Sequence, residues 1–234
     1  MSLWIKICGN TSLEDTQLAV KAGADAVGFV FARSPRQVTI PQVASILAHL
    51  AAPVERIGVF VDAPLDEIYA AVRACGLTGV QLHSDAGPEL PAKLRARLGP
   101  QLRVLRVVHF DAESALLVKK QIAEHARNPD VAAVLIDSRT AKAVGGTGVP
   151  FDWEAARTTV FKRTRTGKRI AAGGLTPANV AEAIAMLRPW GVDVASGVES
   201  TPGHKDAHKV KDFIARARAA ERKVGLRKKT PSTV

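Results

Sequence analysis

The chain has 234 residues, too many for a typical two-layer domain and close to the roughly 250 of one (β/α)8 barrel. Hydrophobic residues make up 47% and aromatics 5%, an Ala-, Val-, Leu- and Ile-rich palette that excludes wholesale disorder and suits parallel strands covered by helices. The net charge is +11, but residues 203–234 hold ten Lys or Arg against three Asp or Glu, so the excess reads as a solvated last helix and basic tail rather than a nucleic-acid footprint, with an electrostatic partner as the alternative. Short apolar runs alternate with longer amphipathic ones. The first strand candidate is LWIKIC (3–8), where Trp4, Lys6 and Cys8 share one face by the period of two. A helix over about 12–22 opens at Ser12, a candidate N-cap, and ends before Gly23. AVGFVF (26–31) leads to a helix with Pro41 near its start and Val43, Ile46, Leu47 and Leu50 spaced three and four apart. RIGVFV (56–61) precedes a helix over 64–75, GVQLH (79–83) one over about 86–98, and RVLRVVHF (103–110) one over about 111–126. VAAVLID (131–137) precedes a helix after Asp152. KRIAA (168–172) precedes one capped by Thr176 with Pro177 at its first position, and VDVAS (192–196) a last helix beginning near Asp206.

Eight βα units without a linker leave two architectures, a closed barrel and an open doubly wound sheet. Strict alternation from the start, eight strands and this length favour a single (β/α)8 TIM barrel over residues 1–220, followed by a basic tail over 221–234. No apolar run reaches about 18 residues, so no membrane span is expected. MSLWIKICGN lacks the pattern of a signal peptide. Cys8 and Cys75 give neither a disulfide framework nor paired metal-ligand spacing, and a reducing cytoplasmic compartment follows.

In such a barrel the chemistry sits at the C-terminal ends of the strands. Cys8 ends the first strand, and a thiolate there is placed to abstract a proton, a nearby cation favouring it. Lys6 shares its face but lies two residues deeper, so its influence stays open; a small buried hydrophobe is the other reading of Cys8. Asp137 closes VAAVLID, where burial without a partner is costly; it is a candidate general acid, or else makes a structural hydrogen bond. Arg36, in SPRQV, is a candidate bidentate clamp for a carboxylate, or an ordinary loop arginine. AAGGLTP, with Gly173 and Gly174, and ASGVES, with Ser196 and Gly197, follow the seventh and eighth strands, where barrels of this fold bind phosphate through backbone N–H groups. His83 ends the fourth strand and is expected to line the pocket. His204 and His208 are spaced like metal ligands on a helix, but no third ligand is in view and no metal is expected. GGTG at 145–148 lacks the Gly-Lys-Ser/Thr ending of a Walker loop.

The strings KICGNT (6–11), DAVGFVFARSPR (25–36), GVFVD (58–62), VQLH (80–83), LIDS (135–138), GGTGVPFDW (145–153), AGGLTPANV (172–180) and VDVASGVESTPGHKD (192–206) resemble the phosphoribosylanthranilate isomerase family of tryptophan biosynthesis over nearly the whole chain, with the extension after about residue 220 outside the pattern. The resemblance implies a cofactor-free Amadori rearrangement of N-(5-phosphoribosyl)anthranilate to 1-(2-carboxyphenylamino)-1-deoxyribulose 5-phosphate, the third step from chorismate. It implies Cys8 as general base, Asp137 as general acid, Arg36 at the anthranilate carboxylate, the Gly174 and Ser196-Gly197 loops at the phosphate, and a supporting role for Asp193. A loop over 139–150, with three glycines, is expected to fold over the substrate. The partner expected is this small phosphorylated molecule, with no nucleic acid and no membrane, on a monomer rather than a homodimer. The related isomerase of histidine biosynthesis uses a carboxylate where this chain has Cys8. A nucleic-acid-binding reading rests on the basic tail alone.

Overall fold

A computed structural model of the protein describes residues 2–83, 87–110, 114–137, 153–161 and 167–226. Eight strands alternate with helices: β1 (Trp4–Ile7), α1 (Leu13–Lys21), β2 (Ala26–Val30), α2 (Ile40–Ala48), β3 (Glu55–Val61), α3 (Leu65–Cys75), β4 (Gly79–His83) and α4 (Leu90–Leu98). The second half continues with β5 (Arg103–His109), α5 (Ala115–Arg127), β6 (Ala133–Asp137), α6 (Trp153–Thr159), β7 (Arg169–Ala172), α7 (Val180–Leu187) and β8 (Gly191–Val194). The strands pair in sequence order and close into a barrel. Closure is the parallel pairing of β1 with β8, which sets Trp4 opposite Gly191 and Lys6 opposite Asp193. The open doubly wound alternative is thereby excluded.

Two layers of apolar side chains follow from the strand period. Ile5 and Ile7, both fully buried, point outward into the layer between sheet and helices. Trp4 points inward and packs with Ala26, Ile57, Leu105, Leu135 and Ile170 inside the barrel. Burying each large apolar side chain contributes roughly 1.5–3 kcal/mol, which fixes the register, because a slip of one residue would turn Lys6 outward into an apolar layer.

Helix starts carry their own signals. The Ser12 side chain accepts from the Asp15 N–H, and Glu14 and Asp15 in the first turn of α1 complement its dipole. Thr39 and Gln42 form a capping box at α2, with Pro41 in the first turn. α7 begins later than predicted. Thr176-Pro177 forms a preceding turn, because Asn179 accepts from the Thr176 N–H at 2.8 Å and donates to the Gly174 carbonyl at 3.0 Å.

The end of β8 also departs from the expected strand over 192–196. Ser196–Val198 form a 3-10 turn, then β9 (Glu199–Thr201) and β10 (His204–Lys205) make a short antiparallel hairpin. Its Pro202-Gly203 turn places Gly203 at φ 87°, a conformation glycine adopts at no steric cost. The last helix, α8 (Ala207–Leu226), runs past the predicted barrel limit at 220. Its Glu221 carboxylate accepts from the Leu3 N–H at 2.7 Å, so part of the stretch predicted as tail is a barrel helix. Among the described residues no helix is long and apolar enough to cross a membrane.

Candidate active site

One cavity opens at the C-terminal ends of the strands, lined by Cys8, Arg36, Gln81, His83, Asp137, Gly173, Asp193 and Ala195, among others. Cys8 and Asp137 therefore share it. Cys8 directly follows β1 and donates its N–H to the Val194 carbonyl at 2.8 Å. Asp137 is the last residue of β6 and is buried. Each apolar strand thus delivers a polar group into the mouth of the barrel.

Below the cavity lies a buried polar chain. Lys6, wholly buried, donates through Nζ to Gln81 Oε1 at 2.7 Å and Asp193 Oδ2 at 2.9 Å. An unpaired ammonium there would cost several kcal/mol, which this pair and hydrogen bond offset. Burial alone would lower the Lys6 pKa, but the Asp193 carboxylate and Cys8 outweigh it and the net shift is upward. For Cys8, burial pushes the thiol up, Lys6 and Lys205 pull it down, and burial prevails. An ammonium can only donate, so Lys6 assigns Gln81 Oε1 as acceptor and leaves Nε2 to donate. Gln81 Nε2 lies 3.0 Å from His83 Nε2, which must then accept, placing the His83 ring proton on Nδ1. His83 also packs obliquely against His109, with ring centroids 5.7 Å apart.

Lys6 and Cys8 fit because residue 28 is glycine: a Cβ there would stand 2.7 Å from Cys8 Sγ and 2.8 Å from Lys6 Cε. Sequence reasoning passed over Gly28, although a lone glycine inside a strand signals close approach.

Arg36 lines the cavity, but one edge of its guanidinium is already engaged. Nε donates to Glu199 Oε1 at 2.8 Å and Nη2 to Glu199 Oε2 at 2.6 Å. Glu199 also accepts from Lys205 Nζ at 2.9 Å. Burial would raise the Glu199 pKa, but the Arg36 and Lys205 bonds override it and hold the carboxyl below its ordinary value. Neither Glu199 nor Lys205 was singled out from sequence. Both stand in a short hairpin whose strands of three and two residues are too short to show which positions face inward.

The two glycine loops meet each other. Gly173 and Gly174 have φ 82° and 62°, and a Cβ on Gly197 would fall 1.8 Å from the Leu175 carbonyl oxygen. Gly173 and Ala195 line the cavity, while Gly174, Ser196 and Gly197 continue the same loops beyond its lining. Asp193 Oδ1 is buried without a hydrogen-bond partner among the described residues. The predicted covering loop over 139–150 lies outside the described residues. His204 stands in β10 and His208 in α8, and no cluster of three potential metal-ligating side chains occurs among the described residues.

A family model described as N-(5'phosphoribosyl)anthranilate (PRA) isomerase matches residues 5–216. The N-(5'-phosphoribosyl)anthranilate isomerase of Geobacter metallireducens is 43% identical over 216 residues, 92% of this chain and 98% of that protein. That of Pelobacter propionicus is 44% identical over 211 residues, 90% of this chain and 93% of its own. Among solved structures, the phosphoribosyl anthranilate isomerase from Thermotoga maritima is 34% identical with a TM-score of 0.81, covering 93% of this chain and 100% of its own. A phosphoribosyl anthranilate isomerase in complex with reduced 1-(o-carboxyphenylamino)-1-deoxyribulose 5-phosphate is 33% identical with a TM-score of 0.77, over 93% and 100% of the two chains.

Proposed function

The chain belongs to the N-(5'-phosphoribosyl)anthranilate isomerase family of tryptophan biosynthesis, and on that premise we propose that it rearranges N-(5-phosphoribosyl)anthranilate with Cys8 as general base and Asp137 as general acid. The observation that carries this reading is that both side chains line one cavity, from β1 and β6. Asp137 gives its proton to the ribose ring oxygen as the C1′–O bond breaks, and the nitrogen lone pair forms the Schiff base. The Cys8 thiolate then removes the C2′ proton, and the electron pair moves into the C1′–C2′ bond to leave an enolamine. Tautomerisation gives the ketone, 1-(2-carboxyphenylamino)-1-deoxyribulose 5-phosphate. No electrons leave the substrate, so the steps need no redox cofactor.

The remaining groups hold the ends. The loops at Gly173-Gly174 and Ser196-Gly197 present backbone donors suited to the phosphate. The guanidinium of Arg36 has five donors, of which Glu199 uses two, leaving three for the anthranilate carboxylate. His83 and Asp193 line the wall, Asp193 in a supporting role through its bond to Lys6. Two free cysteines suit the reducing cytoplasm.

The test is substrate consumption, followed directly because anthranilate derivatives fluoresce. Cys8→Ala should lower kcat by about 10²–10⁴-fold, the range of one proton transfer, with KM little changed. Near-normal turnover would refute the base assignment.

A further inference from the structure

We propose that Glu199 is a positioning residue: its carboxylate fixes the Arg36 guanidinium on the cavity wall so that the donors left over are set for the carboxylate of the substrate. This rests on the reading of Arg36 as the carboxylate clamp. Arg36 comes from the loop after β2, where nothing in the local backbone fixes so long a side chain. Two contacts do. Its stem lies over Gly9, where a Cβ would stand 2.6 Å from Arg36 Cδ. Its head is held by two bonds to Glu199, at 2.8 and 2.6 Å, a bidentate geometry that fixes the plane as well as the position.

Glu199 is anchored in turn. Its side chain is 4% exposed, and that of Lys205, its other cation, is wholly buried. Lys205 Nζ also donates to the Cys8 carbonyl at 2.6 Å, and Lys209 Nζ donates to the Glu199 carbonyl at 2.8 Å. A continuous chain of bonds therefore runs from the Cys8 backbone through Lys205 and Glu199 to Arg36. It sets the anthranilate end of the substrate at a fixed position relative to the base. A guanidinium whose plane is fixed beforehand loses less freedom when it binds a second carboxylate.

The experiment compares two ligands by titration calorimetry: reduced 1-(2-carboxyphenylamino)-1-deoxyribulose 5-phosphate and its counterpart with an unsubstituted phenyl ring. The ratio of their dissociation constants measures recognition of the carboxylate alone and does not depend on the folded fraction of a preparation. Glu199→Gln should weaken binding of the carboxylated ligand by about tenfold or more while leaving the phenyl ligand within about twofold, and should raise KM more than it lowers kcat. Glu199→Asp, which keeps the charge but shortens the reach, should recover part of the preference; where the Gln variant does not fold, the Asp variant carries the comparison, with the preference reduced. Equal weakening of both ligands, or none, would make the pair a structural staple and overturn the proposal. If Arg36→Ala abolishes the preference while Glu199→Gln keeps it, the positioning role alone fails. If Arg36→Ala itself leaves the preference intact, the clamp reading fails, and this proposal with it.

Discussion

A methyl group at residue 28 would meet Cys8 Sγ at 2.7 Å and Lys6 Cε at 2.8 Å, so Gly28→Ala must displace either the proposed base or the cation beneath it. Overpacking of this kind costs about 1–3 kcal/mol; the expected outcome is a lowered melting temperature together with a drop in kcat, and unchanged kcat would show that the thiol tolerates the shift. The thiol also predicts a pH dependence. Burial raises its pKa despite the opposing pull of Lys6 and Lys205, while Asp193 adds to the rise. Only the deprotonated form abstracts a proton, so kcat/KM should climb with pH through a value above that of a free thiol. The limb should vanish in Cys8→Ala residual activity, and a profile flat between about pH 6 and 9 would count against a free-enzyme thiol limb. At this scale the period of two placed Lys6 on the inner face with Trp4, as observed. Its partners Gln81 and Asp193 come from β4 and β8 and share no local pattern with it.

Elements were legible where the signal was local. The capping residues of α1 and the proline and capping box of α2 stand at the predicted starts. The start of α7 was set by a side chain three residues further on, Asn179, whose bonds close the Thr176 turn before the helix begins. The hairpin of β9 and β10 was missed, although Pro202-Gly203 is a recognisable turn signal, because strands of three and two residues carry no measurable periodicity. The close approach at Gly197 yields a prediction for the loops. Because a Cβ would fall 1.8 Å from the Leu175 carbonyl oxygen, Gly197→Ala must part the two turns proposed to hold phosphate. KM and the inhibition constant of inorganic phosphate should both rise by about tenfold. Unaltered phosphate inhibition would detach this turn from the anion site.

At the scale of the whole molecule, α8 fastens the start of the barrel. Glu221 accepts from the Leu3 N–H at 2.7 Å, and Arg218 reaches Asp25 at 2.7 Å across the base of β2. Truncation after Leu226 should leave turnover and melting temperature unchanged. Truncation after Ala220 also removes the Glu221 bond and the packing of Val224. It should cost about 1–2 kcal/mol, seen as a fall of about 2–4 °C per kcal/mol in a domain of this size. Equal melting temperatures would return 221–226 to the tail. The alternation of apolar runs and amphipathic helices determined eight βα units and favoured the barrel, and with it the groups that meet at the mouth, because strand period and connection length are local properties of the chain; the closure of β1 on β8 decided against the open sheet. Only the tertiary structure decided that Glu199 holds Arg36, that Lys205 ties Glu199 to the Cys8 backbone, and that Gly28 makes room for the thiol. The contacts of Glu199 with Arg36 and of Lys205 with Cys8 join residues far apart in the chain, the Gly28 contact comes from the pairing of β1 with β2, and a buried charge leaves no trace in the sequence until the partner that permits its burial is known.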